Sequence, residues 1–315
     1  MQLLAPGERT EGLRCPACTS ERLRDDVAAV VCERCSRCFP SRRDVIDFVG
    51  VDLLDPTSRE EHVANAVDLA SEKAVRRRIA KGERNPILMA QMGHSVRAAQ
   101  RLLDWRPHGR SLVSLGSGTG FELRLLLLGR RRFERVYSSD LAWSNTALAP
   151  QVLRELDGTL GLFAADFEHC PVRRDTGHVG LVFLALHHAE DPHRALSSLL
   201  ERNFDQLVIV EPITNWLVEL LARAGLARRV EYSGIRPQWL DVRRMRRIAR
   251  ANGCAMRIET WWELPRDALP DRLRRSAGAW RAPLALAAAW SRLTAPAHFG
   301  SMAAVRFARV ATAAE

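Results

Sequence analysis

The chain has 315 residues, 47% of them hydrophobic, and a formal net charge of +10. That length accommodates an α/β domain of about 200 residues with a smaller companion, and no apolar run approaches the ~20 residues that a membrane-spanning helix requires. The positive charge invites a nucleic-acid partner, but its placement argues against one: residues 1–50 carry eight arginines against eight acidic residues, and an excess of +8 sits in residues 240–315. Only Lys73 and Lys81 are lysines, a bias that arginine-rich codon usage accounts for as well as selection for phosphate does.

Near the start, Cys15-Pro-Ala-Cys18 and Cys32-Glu-Arg-Cys35 form C-x2-C-x13-C-x2-C. Two such knuckles present four thiolates to one tetrahedral ion, and thirteen intervening residues suffice for the hairpin that brings them together. The expected ion is Zn2+. Four protein ligands leave no position for water, so the site is structural, standing in for a core that fifty residues can barely build. Disulfides are the alternative. Met1 to Glu8 turns polar too soon for a secretory signal, which favours a reducing, cytoplasmic setting and metal. Cys38 is a fifth cysteine within reach; the spacing favours Cys35 as the fourth ligand. Cys38-Phe39-Pro40 and Asp44-Val-Ile-Asp-Phe48 resemble the zinc ribbon that precedes or activates several methyltransferases.

The ribbon is expected to end near Gly50. Residues 51–110 read as a helical linker or lid. Ser58-Arg-Glu-Glu61 reads as a capping box opening a helix to about Ala80, broken by Gly82 and Pro86, with a second helix over Ile87 to Trp105. Arg76-Arg77-Arg78 reads as a solvated face before an anion site.

From Ser111 onward strands and helices alternate, which implies a parallel sheet covered on both faces. Val113-Ser-Leu-Gly116-Ser117-Gly118-Thr119-Gly120 is a strand followed by a tight glycine turn and an apolar helix start at Phe121. Such a turn points backbone N–H groups at a ligand. Asp140 closes the next strand, where a carboxylate can accept both hydroxyls of a ribose. A dinucleotide site wants G-x-G-x-x-G, and here Phe121 stands where the third glycine belongs.

The G-x-G-x-G turn instead resembles motif I of class I S-adenosylmethionine-dependent methyltransferases. In order along the chain, Phe163-Ala-Ala-Asp166-Phe167, Cys170-Pro-Val, Leu186-His187-His188-Ala-Glu-Asp191-Pro192 and Glu211-Pro212 resemble later motifs of that family, the "LHH…DP" run being that of its small-molecule branch. The resemblance covers residues 111–262. It implies a Rossmann-like seven-stranded methyltransferase sheet with helices on both faces, and cofactor contacts from Gly116, Ser117, Gly118, Thr119, Gly120, Asp140, Leu141, Asp166, Phe167 and Leu184. Ser114 and His178 replace acidic residues usual in the family; Glu122 is a candidate for the missing charge, or a first-turn residue matched to the helix dipole. Trp143 either shields the cofactor or fills core. Cys170 and Cys254 read as packing residues.

Helices are expected over Ile213 to Ala227 and Trp239 to Asn252, strands over Ala255 to Trp262 and Phe299 to Val310, the last two as an antiparallel pair at the sheet edge. Between them, residues 264–298 read as an insertion with short helices. His187 and His188 are the catalytic candidates, since an imidazole can take a proton from an acceptor; Glu211 and Tyr232 are secondary. Three functions follow: methyl transfer from S-adenosylmethionine to a small molecule, biosynthetic intermediate or modified peptide; methylation of ribosomal RNA; or a non-catalytic zinc-ribbon adaptor. The histidine pair and the large C-terminal insertion favour the first, the ribbon's lack of net positive charge counts against the second, and the intact glycines and aspartates oppose the third.

Overall fold

The computed structural model of the chain describes residues 1–50, 54–80, 86–103, 111–129, 133–174, 178–202, 204–224, 238–263 and 278–310. After a short strand β1 (Gln2–Leu3), the cysteine-bearing segment folds as β2 (Leu23–Asp26), β3 (Ala29–Cys32), β4 (Cys38–Arg42) and β5 (Val45–Asp47), joined antiparallel in sequence order. The hairpin β2–β3 lies between the two cysteine pairs, as their spacing requires.

Three helices follow: α1 (Pro56–Asn65), α2 (Glu72–Ile79) and α3 (Pro86–Leu102). The expected single helix from Ser58 to Ala80 is therefore two helices. Its cap is not Ser58 but Asp55, whose carboxylate accepts the Ser58 N–H at 2.8 Å. Asp is as good a cap as Ser, and Pro56 has no N–H to satisfy and a preset φ, so the helix starts earlier. It ends because the next polar groups compete for the backbone. Ser144 Oγ accepts the Val67 N–H, Asp68 accepts from Ala70, and Ser71 caps α2 through the Ala74 N–H. The expected end of the second helix at Trp105 lies outside the described residues.

The remaining elements alternate as β6 (Ser111–Leu115), α4 (Phe121–Leu127), β7 (Arg135–Asp140), α5 (Trp143–Thr146), α6 (Ala149–Val152), β8 (Thr159–Ala164), β9 (Val179–Phe183), a 3-10 turn Leu186–His188, α7 (Pro192–Leu200), β10 (Gln206–Thr214), α8 (Trp216–Arg223), β11 (Leu240–Asp241), α9 (Val242–Ala251), β12 (Cys254–Trp261), α10 (Arg281–Thr294) and β13 (Met302–Arg309). The main sheet runs β12-β13-β10-β9-β6-β7-β8, with β13 antiparallel to both neighbours and the other pairs parallel. This is the expected seven-stranded sheet with its antiparallel pair at one edge.

The C-terminal boundaries differ from expectation. Ile213 is strand, not helix, because its N–H bonds to Ser301 O and it pairs with Leu240; Asn215 then caps α8. Asp241 caps α9 three residues past the expected start. The expected short helices of the insertion are, among the described residues, one 14-residue helix α10 and a 3-10 turn at Ala295–Ala297. Pro283 stands in the first turn of α10, where its missing N–H costs nothing. The last strand begins at Met302.

The opposite edge of the sheet is closed by the N-terminal segment. β1 pairs with the first half of β8 and β5 with its second half, Ile46 opposite Phe163. An exposed edge strand invites aberrant pairing, and here β8 is covered at both ends, Thr159–Leu160 by β1 and Phe163–Ala164 by β5. Side chains alternate between two buried layers. On one face, Val113, Val182, Leu207, Ile209 and Phe307 pack with α7 and α9 and also with Val30, Phe39, Ile46 and Phe48 of the ribbon. On the other, Leu112, Leu181, Val208 and Val210 pack with α3 and α4. Phe48 stacks edge-on against both Phe39 and Phe163, at 4.9 and 6.3 Å, so the ribbon and the sheet share one core.

Candidate cofactor pocket and four-cysteine cluster

The turn from β6 to α4 holds three glycines with positive φ, +66° at Gly116, +54° at Gly118 and +84° at Gly120. Two of these have distinct reasons to be glycine. A Cβ at Gly116 would lie 2.3 Å from the Ala185 Cβ and 3.0 Å from the Phe167 ring, so close packing excludes it. A Cβ at Gly118 would meet nothing within 4 Å; there the positive φ rather than crowding calls for glycine. The turn is tied down by Ser117, whose N–H bonds to Ser139 O at 2.7 Å and whose hydroxyl lies 2.6 Å from that of Ser138. Ser117 and Thr119 are buried.

Asp140, at the end of β7, accepts the Gly118 N–H on Oδ2 at 2.9 Å, and the Ala142 N–H and Asn145 amide on Oδ1 at 3.0 and 3.2 Å. Burial pushes its carboxyl pKa up, against these hydrogen bonds and Arg78, which pull it down. Asp166 follows β8 and lies 3.2 Å from His169 Nδ1, whose pKa that carboxylate raises. The two aspartates line one cavity, with Gly116, Leu141, Ala165, Phe167, Ala185, His188 and Ala189, and with Ser58, Glu61 and Asn65 of α1. Of the expected cofactor residues, Ser117, Gly118, Thr119, Gly120 and Leu184 support this wall rather than line it. Leu184 has φ +53°, a conformation rare for a branched side chain and common beside active sites; it turns the chain from β9 into the histidine pair.

The two histidines have different surroundings. His187 is 3% exposed, with Nδ1 2.6 Å from Glu211 Oε2. Glu211, 1% exposed, also accepts the N–H groups of Ala185 and Leu186 at 2.8 Å each, so this pair builds the turn. His188 lies against His187, with ring centroids 4.1 Å apart and planes tilted by 38°, and faces the cavity. Its Nδ1 lies 2.8 Å from Glu61 Oε1. Asp191 caps α7 through the His193 and Arg194 N–H groups, and Pro192 follows at the first helical position.

Ser58, Glu61 and Asn65 are the polar cavity residues that sequence reasoning missed, together with Ala165, Ala185 and Ala189. The signal was the i, i+4 spacing of Glu61 and Asn65, polar residues on the same face as Ser58, but the capping-box reading had already assigned Ser58 and Glu61 another task. Trp143 does not line the cavity; Arg42 lies over its ring at 5.4 Å. Arg78 reaches Asn145 at 3.0 Å and ties α2 to the back of the site. Glu122 sits in the first turn of α4 and does not line the cavity. Cys170 and Cys254 are buried in the core. Tyr232 lies outside the described residues.

In the ribbon, the sulfurs of Cys15, Cys18, Cys32 and Cys35 lie within 4.8 Å of one another. Cys15–Cys35 is 3.7 Å and Cys18–Cys32 is 3.5 Å, too long for disulfides and close to the ~3.8 Å sulfur separation of a tetrahedral Zn2+ site with bonds of ~2.3 Å. Cys38 is not in the group. Against the desolvation that opposes its thiolate, the N–H groups of Cys35 and Arg34 and the facing thiols bring the Cys32 pKa down to about 6, while burial pushes that of Cys15 up to about 12.

Residues 113–201 match the family model described as "Methyltransferase domain". No curated protein is significantly similar to the chain in sequence. Among solved structures, a chain of the complex between the Haloferax volcanii methyltransferase activator Trm112 and a methyltransferase is 17% identical, covers 75% of this chain and 96% of its own, and superimposes with a TM-score of 0.50. The magnesium protoporphyrin IX methyltransferase of Synechocystis PCC 6803 with bound S-adenosylmethionine is 13% identical, with 82% and 99% coverage and a TM-score of 0.49. The YcgJ protein of Bacillus subtilis is 16% identical, with 69% and 99% coverage and a TM-score of 0.48. At these identities the likeness is one of fold. Residues 113–201 thus match the methyltransferase-domain family, and the chain has a methyltransferase-like fold, preceded by a four-cysteine cluster.

Proposed function

We propose that the chain transfers a methyl group from S-adenosylmethionine to a small-molecule or modified-peptide acceptor, with Zn2+ held by Cys15, Cys18, Cys32 and Cys35 as a structural ion. The observation that carries this reading is the single cavity shared by Asp140 and Asp166, floored by Gly116 and walled by His188. Oδ2 of Asp140 takes one N–H, from Gly118, and a carboxylate oxygen has capacity for a second donor, which a ribose hydroxyl would supply. Asp166 would accept from the adenine edge. When bound, the cofactor supplies a methyl carbon already activated by its sulfonium. The protein's part is to orient the acceptor in line, exclude water beneath α1, and receive a proton where the acceptor carries one. His188 is the proposed proton acceptor. His187 is proposed to hold the turn.

The Haloferax neighbour is a methyltransferase complexed with a separate activator. Here a zinc ribbon is proposed to serve the catalytic sheet within one chain, by covering β8 and sharing its core. Paired C-x2-C units that hold a metal fit a reducing compartment, and no helix among the described residues is long and apolar enough to cross a membrane. Isothermal calorimetry of the full chain with S-adenosylmethionine tests the reading. Micromolar binding that falls ~10–100-fold in Asp140→Ala is expected, the worth of charge-assisted hydrogen bonds. Absence of binding at millimolar ligand returns the adaptor reading.

A further inference from the structure

We propose that the chain docks on the surface of an anionic lipid bilayer, through an apolar face formed by α10 and α8 and an arginine row on α9. The surface lies outside the cofactor cavity, so the inference stands apart from the methyl-transfer reading.

The side chains of α10 are arranged the reverse of an ordinary surface helix. Toward the protein it turns polar residues. Ser291 is buried and its Oγ accepts the Trp262 N–H at 2.8 Å, and Thr294 Oγ1 accepts the Trp262 indole N–H at 3.0 Å. Its large apolar residues point outward. Leu286, Trp290 and Leu293, at i, i+4 and i+7 on one side of the helix, are 72%, 49% and 76% exposed. A surface helix normally buries that stripe. In α8, Trp216 and Leu220, one turn apart, are exposed in the same way. The two helices are joined through the segment after α10, where the Trp216 ring packs edge-on to Phe299 at 5.7 Å and the Asn215 amide donates to Gly300 O at 2.8 Å. Exposed apolar side chains scattered singly are ordinary; five on two joined helices mark a binding surface.

The charge around this face has one sign. Residues Gly278 to Val310 include no acidic residue, and Arg281 and Arg292 belong to α10 itself. On α9, Arg243, Arg244, Arg246, Arg247 and Arg250 are exposed, while Val242, Met245 and Ala249 are buried. Arg246 lies close enough to the end of α10 that, after burial, its charge is what lowers the pKa of His298. Codon usage explains arginine in place of lysine; it does not explain the lack of acidic residues beside it. Leucine and tryptophan next to arginine suit the headgroup layer of a bilayer, where the apolar side enters the acyl boundary and the cations meet phosphate. With 14 residues α10 is about 21 Å long, too short to cross, so it lies in the plane. A second copy set on this face about a two-fold axis would bring the arginines against their own images. A nucleic acid would use the arginines and leave the leucines in water. Strand direction gives the docking a consequence. β12 runs parallel to β10 and β9, so its end at Trp261 lies at the sheet edge that also carries the histidine pair. Docking therefore presents to the bilayer the edge of the sheet where the cavity opens.

The test is co-sedimentation of the zinc-loaded full chain with vesicles of phosphatidylcholine and phosphatidylglycerol at ~7:3, set against vesicles of phosphatidylcholine alone. Binding to the anionic vesicles is expected to be at least ~10-fold tighter and to fall as salt is raised. Leu286→Ser with Leu293→Ser is expected to weaken it at least ~10-fold, by removing the apolar area that enters the bilayer. Arg246→Glu with Arg247→Glu is expected to weaken it by a similar factor. All four positions are exposed, so melting temperatures within ~3 °C of wild type are expected in both variants. Equal binding to the two kinds of vesicle, binding to neither, or variants that bind like wild type overturns the proposal. A dimer in sedimentation velocity that the serine pair dissociates, without vesicle binding, assigns the face to a second copy and overturns it as well. Binding of a ~30-nucleotide RNA in place of the vesicles does the same in favour of nucleic acid.

Discussion

The backbone N–H of Gly118 is bonded to the carboxylate of Asp140 at 2.9 Å, so the turn that would cradle a nucleoside is held in shape by the residue that would grip its ribose. The two motif elements are twenty-two positions apart and form one device. Cβ atoms at the neighbouring glycines test this device in two ways. Gly116→Ala drives a methyl into Ala185 and Phe167 at a positive φ, and unfolding by urea is expected to show a loss of about 3 kcal/mol. Gly118→Ala meets open space and is expected to cost about 1 kcal/mol from φ alone, and, because Gly118 does not line the cavity, to weaken S-adenosylmethionine binding less than Gly116→Ala does once allowance is made for folding. Equal effects of both on calorimetric affinity would remove the distinction.

The adjacent histidines are expected to separate stability from activity. His187→Ala leaves Glu211 buried without its imidazole, and chemical denaturation should register a loss of about 3–5 kcal/mol. His188→Ala, at the cavity wall, should cost about 1 kcal/mol or less and leave cofactor affinity within a few-fold. A reversal of this order contradicts the placement of the two rings.

Zinc removal is expected to reach beyond the ribbon. Because Phe48 and Ile46 share a core with Phe163 and β5 caps β8, stripping the ion with a chelator, or Cys32→Ser, should lower the melting temperature of the whole chain by at least ~10 °C in a single transition. An early, separate transition with the main one unmoved would show that ribbon and sheet fold independently. Metal analysis should return about one zinc per chain.

His178 makes stability fall on the acid side. Burial, with help from Arg135, brings its pKa down to about 4, against about 6.5 in the unfolded chain. Between those values the unfolded state binds the proton and the folded state does not, so stability rises with pH there. The contribution is fully present above about pH 6.5 and is lost at about 1.4 kcal/mol per unit as pH falls toward 4, some 3 kcal/mol in all. His178→Gln is expected to flatten that slope in urea titrations from pH 4.5 to 7; an unchanged slope assigns the acid sensitivity to other groups.

The sheet, the glycine turn, Asp140, Asp166 and the four cysteines were legible because each is local: a strand–turn–helix transition, a carboxylate at a strand end, a knuckle of four residues. What was not legible depends on contacts between distant segments. Ile213 could be read as helix or strand until Ser301 and Leu240 took its backbone partners. Ser58 looked like a cap because Asp55-Pro56 competes for that position three residues earlier. Glu61 could not be placed on the cavity without knowing that α1 folds back over the β9 turn, and nothing in Cys38-Phe39-Pro40 shows that the strand after it extends the main sheet. The histidine pair was visible as a pair, but only the positions of Glu211 and Glu61 tell the inner ring from the outer one.

The most direct measurement is a crystal structure of the full chain with S-adenosylhomocysteine. The ribose hydroxyls are expected within hydrogen-bond distance of Asp140, the adenine edge at Asp166, and the sulfur toward His188. Density for the nucleoside elsewhere, with the Asp140 and Asp166 carboxylates facing only protein, would contradict this placement.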